Sequence, residues 1–190
     1  MSHDAPIAAG TSSFDLVDRG LLFPALAVRA GETVLDLACG RGAYALALAP
    51  LVGPAGRVVA VDLWQEGVDA LRQQIATRGL TNVTPLHANV AETLPLEPGS
   101  ADLCLMATVL HDLVADGTAE GALAQASRAV RAGGRLAVVE FKKIDGPPGP
   151  PRAIRMDAAA VAARVQPHGF SPAGVVDVGP FTYLSTFTRV

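Results

Sequence analysis

The most constraining feature of this chain is the run VLDLACGRG, Val34 to Gly42. An apolar stretch carries an acid, Asp36, and then meets a turn built on small residues, Ala38, Gly40 and Gly42. Such a turn lets the backbone approach a ligand closely and bend sharply into a helix. The segment after it, Ala43 to Val52, is rich in Ala and Leu and reads as that helix. A strand, a glycine turn and a helix in this order open an α/β domain.

The rest of the chain repeats the alternation. RVVAVDL, Arg57 to Leu63, reads as a second strand, introduced by the breaker Gly53-Pro54-Ala55-Gly56. Gln65 to Arg78 has helical spacing at Val68, Leu71 and Ile75, and Gly79 suits its C-terminal cap. VTPLHA, Val83 to Ala88, is a weaker third strand, which Pro85 confines to an edge. A fourth strand opens ADLCLMATVL at Ala101, and a helix runs from Thr118 to Val130 and stops at Gly133-Gly134. Gly134 to Phe141 reads as the fifth strand, and Gly146 to Pro151 as a Pro/Gly loop. Asp157 caps a helix that runs towards His168 and ends at Gly169. Two final runs, near Val175 to Val178 and Thr182 to Val190, are separated by Gly179-Pro180, too short for a crossover, so they pair antiparallel.

Five strands separated by helices imply a parallel sheet covered on both faces. The expected fold is therefore α/β: a Rossmann-like, doubly wound, mostly parallel seven-stranded sheet with a C-terminal antiparallel hairpin. Residues 1–190 read as one domain, with 1–30 as an N-terminal helical or lid segment. Ligands of such sheets bind beyond the carboxyl ends of the strands, where strand order reverses.

Asp62 ends the second strand, 20 residues after Gly42. A carboxylate there can accept from both ribose hydroxyls of an adenosine ligand; the plainer reading is a surface Asp that caps the next helix. The small residues of A-C-G-R-G-A are spaced two and two, whereas the dinucleotide fingerprint G-x-G-x-x-G is spaced two and three, which argues against a pyrophosphate cofactor.

VLDLACGRG resembles the first motif of class I S-adenosylmethionine-dependent methyltransferases, with Ala38 in place of the usual first glycine. VVAVDL resembles their second-strand motif, and HANVAETLPLEPGSADLCLMATVLHDL the stretch that follows. The likeness runs from about Leu16 to Val190 and is greatest to small ubiquinone/menaquinone-biosynthesis methyltransferases, including short members with a Lys-rich end to the fifth strand and a Gly-Pro-Pro loop, as in FKKIDGPPGPP. The resemblance implies S-adenosylmethionine as cofactor and S-adenosylhomocysteine as product. It places Asp36, Ala38, Gly40 and Gly42 around the methionine part, Asp62 on the ribose, Leu63 on the adenine, and Ala107 beside the donor's amino group. Asn89, where the family often has Asp, and Val90 fall at the adenine end. Tyr44 either covers the donor or belongs to the core.

On the acceptor side, His111 in VLHDL is the candidate base or orienting group; the alternative is a helix-start or loop histidine bonded to backbone. Phe14 and the N-terminal segment can form a lid, and the Gly146 to Pro151 loop, stiff by composition, rims the acceptor pocket in the implied topology. Lys142 and Lys143 read as a solvated strand end, or as groups that face an anionic acceptor. Cys39 and Cys104 read as reduced buried thiols at strand ends. Two thiols with no His cluster make neither a zinc site nor an arsenite-methylating site.

The formal net charge of −3 and the absence of a basic block give no nucleic-acid footprint. No run reaches the roughly 20 apolar residues that span a bilayer, and the N-terminus has no signal-peptide pattern, so the expected location is the cytoplasm. The expected partner is a small-molecule methyl acceptor. A non-catalytic S-adenosylmethionine sensor and a nicotinamide-dependent oxidoreductase are the competing readings.

Overall fold

The computed structural model describes residues 12–190. The part of the N-terminal segment before Ser12 lies outside the described residues. The elements are α1 (Arg19–Leu26), β1 (Thr33–Leu37), α2 (Ala43–Val52), β2 (Arg57–Asp62), α3 (Gln65–Arg78), β3 (Val83–His87), β4 (Ala101–Ala107), α4 (Leu110–Ala115), α5 (Ala119–Ala129), β5 (Val130–Phe141), α6 (Ala158–Val165), β6 (Phe170–Asp177) and β7 (Thr182–Arg189).

The seven strands form one sheet in the order β3-β2-β1-β4-β5-β7-β6. The first five pair parallel, and β7 pairs antiparallel with both β5 and β6. This is the doubly wound architecture with a terminal hairpin that the alternation predicts. Pro85 sits on β3, the sheet edge, where a missing ladder donor costs nothing. The sheet separates two cores. Leu22, Leu48 and Leu71, from α1, α2 and α3, fill one face. Leu110, Leu123 and Val161, from α4, α5 and α6, fill the other.

Local chemistry sets the helix ends. The Asp18 carboxylate accepts from the N–H groups of Gly20 and Leu21 at the start of α1. Asp157 accepts from Ala160 N–H at 2.9 Å at the start of α6. Gly79 is left-handed and closes α3.

Three expectations need correction. Helices do not separate all five strands: segment 88–100, between β3 and β4, contains none. Pro95 and Pro98 break any helix there. Buried Val90 and Leu94 fill the core in its place, and the Arg128 guanidinium holds the Leu94 and Leu96 carbonyls at 2.6 Å each. Next, α5 ends at Ala129 and β5 begins at Val130, ahead of the two glycines. The register jumps from Ala101 opposite Val130 to Leu103 opposite Arg135, so Gly133 and Gly134 form a bulge within β5 and not a helix stop. Finally, Cys104 lies in the middle of β4, opposite Leu35 and Leu136, and not at a strand end. Both cysteines are free and buried.

Candidate active site

Strand order reverses at β1 and β4, so the crevice opens beyond their carboxyl ends. Ala38, Gly40 and Gly42 follow β1, all with positive φ: 63°, 55° and 74°. The loop thus winds by alternate left-handed residues. Ala38 carries the strain of that conformation where a glycine would not. The two glycines serve different ends. A Cβ on Gly42 would lie 2.7 Å from Leu71 Cδ2, so a side chain there would have to displace Leu71 of α3. A Cβ on Gly40 would meet nothing within 4 Å, so that position faces open space.

Asp62, buried at the end of β2, braces this loop. Its Oδ2 accepts the Gly40 N–H at 2.7 Å, and its Oδ1 accepts the Trp64 N–H at 2.7 Å. A carboxylate has about four lone-pair sites, so acceptor capacity remains. Leu63 beside it is 51% exposed. Asp36 lies on β1, 1% exposed, and its Oδ2 has no hydrogen-bond partner among the described residues. Burial, helped by the charge of Asp62, pushes its carboxyl up to about 7, while the Ala45 N–H pulls it down.

At the adenine end, Asn89 Oδ1 accepts the Ala91 N–H at 3.0 Å, and its Nδ2 donates to Glu92 Oε1 at 2.9 Å. Val90 packs in the core. Ala107 ends β4, and its carbonyl oxygen lies 2.8 Å from Thr108 Oγ1. Thr108 is left-handed, φ 52°, a strained state for a β-branched residue. Its hydroxyl also lies 2.8 Å from Ser13 Oγ, which is 2.9 Å from Tyr44 Oη. Phe14 meets the Tyr44 ring edge-on at 5.0 Å. Tyr44 is therefore part of the core and also holds Ser13 and Phe14 next to Thr108, just after β4.

His111 sits in the first turn of α4, 4% exposed. It starts a helix, but its ring binds a carboxylate and not backbone. Its Nδ1 lies 2.8 Å from Glu140 Oε2, and its own N–H donates to Glu140 Oε1 at 3.1 Å. Nε2 lies 3.4 Å from Asp112 Oδ1. Burial alone would lower the imidazole pKa, but the Glu140 hydrogen bond and the charges of Glu140 and Asp112 outweigh it and the value is raised. Glu140 is fully buried near the end of β5. It was missed in the sequence, although RLAVVEF carries the same signal as VLDLA and VVAVDL, an acid near the end of an apolar strand.

Arg155, 3% exposed, binds backbone of the Gly146 to Pro151 loop. The Arg155 guanidinium donates to the carbonyls of Lys142, Ile144, Gly146, Pro148 and Pro150 at 2.6 to 3.2 Å. It also stacks 5.7 Å from the Phe141 ring centre. Lys142 pairs with Asp177 at 2.8 Å, and Lys143 is exposed. Among the described residues no group of three or more His, Cys, Asp or Glu is placed to hold a metal.

The model of the methyltransferase-domain family matches residues 34–134, from β1 to the glycines within β5. The chain belongs to that family. Within the family, a ubiquinone/menaquinone biosynthesis C-methyltransferase of Hahella chejuensis is 37% identical over 121 residues, 63% of this chain and 47% of that protein. An uncharacterized 37.1 kDa protein from a transposon of Streptomyces fradiae is 41% identical over 122 residues, 64% of this chain and 34% of that protein. The chain spans a third to a half of the length of these two curated relatives. An S-adenosylmethionine-dependent methyltransferase of Aquifex aeolicus, solved by crystallography, superposes with a TM-score of 0.85 at 27% identity, covering 94% of this chain and 93% of its own. The crevice suits S-adenosylmethionine, the cofactor named for the Aquifex aeolicus protein: it offers an unpartnered buried carboxylate oxygen on Asp36, open space at Gly40, spare acceptor capacity on Asp62, and an exposed apolar Leu63.

Proposed function

We propose that this chain transfers a methyl group from S-adenosylmethionine to a small-molecule acceptor. The observation that carries the reading is the buried Asp36–Asp62 pair at the glycine loop, with one Asp36 oxygen unpartnered. Two acids at one strand crevice suit a ligand that carries both positive charge and ribose hydroxyls. Asp62 would hold the ribose, Leu63 and Asn89 the adenine, and Asp36, Gly40 and Ala107 the methionine part.

When bound, the cofactor supplies a methyl group on a positive sulfur that is already a good leaving group. The protein's task is then positioning and exclusion of water. The N-terminal segment at Ser13 and Phe14, the His111 turn and the Gly146 to Pro151 loop are the walls we assign to the acceptor pocket. Among the described residues no helix is long and apolar enough to cross a membrane. We take the acceptor to be a dissolved metabolite and the location to be the cytoplasm.

Release of S-adenosylhomocysteine in the presence of a metabolite library tests the proposal. Turnover with one or more compounds is expected. Tight cofactor binding without turnover across the library would favour a non-catalytic sensor.

A further inference from the structure

We propose that Glu140 is a positioning residue for His111, and that His111 takes a proton from the methyl acceptor, so that the acceptors of this site are neutral molecules whose nucleophilic oxygen, nitrogen or carbon carries a hydrogen. The inference rests on the methyl-transfer reading above.

Glu140 meets His111 twice. One oxygen accepts the backbone N–H and the other faces Nδ1. A carboxylate in that place requires the proton of neutral imidazole to sit on Nδ1. Nε2 then carries the lone pair. Nδ1 is turned to Glu140, whose side chain is 0% exposed, while Nε2 is turned to Asp112, whose side chain is 18% exposed. The basic nitrogen is therefore the one beside the less buried of the two acids, in a side chain that is itself 3% exposed. The charges that face the ring are Glu140 from β5, Asp112 from α4 itself, and Arg155 from before α6. The two acids outweigh the arginine and burial, so the imidazolium formed by proton uptake is stabilised.

The step balances simply. The acceptor's hydrogen passes to Nε2 as a proton. The electron pair it leaves behind forms the bond to the methyl carbon, and the pair of the broken carbon–sulfur bond stays on sulfur. The Nε2 proton then passes to Asp112 or solvent.

The test uses the whole chain and two sets of probes. Phenol, aniline and acetylacetone carry a proton that methylation must remove; pyridine and dimethyl sulfide do not. S-adenosylhomocysteine binding is measured first by calorimetry, for wild type, His111→Gln, Glu140→Gln and Glu140→Asp. Retained binding shows that each variant is folded; loss of it in wild type would strike the methyl-transfer reading itself. The proposal expects turnover of at least one proton-bearing probe, reduced about 10²- to 10⁴-fold in His111→Gln. Glutamine at 140 can accept only one of the two His111 bonds, so Glu140→Gln lowers the rate and moves the rising limb of its pH profile to lower pH, while Glu140→Asp recovers part of the loss. Turnover confined to pyridine or dimethyl sulfide, no turnover of any probe by protein that binds S-adenosylhomocysteine, or a pH profile unmoved in Glu140→Gln would overturn it.

Discussion

The carboxylate of Asp62 accepts the backbone N–H of Gly40 at 2.7 Å. One side chain thus ties the end of β2 to the turn that leaves β1, and it shapes the loop on which the cofactor would rest. Asp62→Ala is expected to weaken S-adenosylhomocysteine binding. A charged hydrogen bond is worth about 1.5–3 kcal/mol, which corresponds to a rise in Kd of roughly ten- to a hundredfold. Titration calorimetry on the folded variant measures it, and an unchanged Kd would place the ribose elsewhere.

The two loop glycines are predicted to respond differently. Gly42→Ala drives a methyl into Leu71 at a cost of about 1–3 kcal/mol of stability, on top of left-handed strain of about 1–2 kcal/mol, read by urea unfolding. Gly40→Ala meets open space and carries only the left-handed strain of about 1–2 kcal/mol. Gly40→Val should harm S-adenosylhomocysteine binding more than Gly40→Ala, because its larger side chain enters the space where a ligand would lie. Equal Kd values for the two Gly40 variants and wild type would make the loop a turn and no more.

Much of this site was legible in the chain. Strand-end acids and small residues are local signals, and Asp36, Gly40, Gly42 and Asp62 do gather at one crevice. The hairpin and the edge position of Pro85 followed from breaker chemistry. What escaped notice depends on contacts distant in sequence. The Glu140 partnership with His111 spans 29 residues, and the Ser13–Thr108 contact spans 95. The helix-free 88–100 crossing is held by Arg128, whose role no local pattern carries. The β5 bulge escaped because paired glycines after a helix also look like its end.

Asp36 is predicted to make both stability and cofactor binding depend on pH. Its carboxyl ordinarily titrates near 3.8 and is raised to about 7 in the folded protein. Between those values the folded state keeps a proton that the unfolded chain has released, so stability falls as pH rises through that window and levels off above about 7. Asp36→Asn should therefore be the more stable protein at pH 8 and should lose this slope, as thermal unfolding across pH 4 to 8 will show. A positively charged donor favours the carboxylate, so S-adenosylmethionine affinity of the wild type should drop as pH falls below about 7. A pH-independent Kd in wild type would exclude Asp36 from the donor site.

Arg155 is predicted to be the fastening of the acceptor-side loop. A lysine has three donors and no planar fork, so it cannot serve five carbonyls. Arg155→Lys should raise amide hydrogen exchange across 142–150 and lower protein stability. S-adenosylhomocysteine binding should be nearly unchanged, because Arg155 bonds to none of the residues assigned to the donor. Unaltered exchange would mean that the prolines alone fix the loop.

Cofactor titration decides whether this crevice is the adenosyl-donor site proposed for it. Isothermal calorimetry of the purified chain with S-adenosylmethionine, S-adenosylhomocysteine and NAD is predicted to show saturable one-to-one binding of both adenosyl ligands and none of NAD. Saturable binding of NAD with no heat from either adenosyl ligand would contradict it.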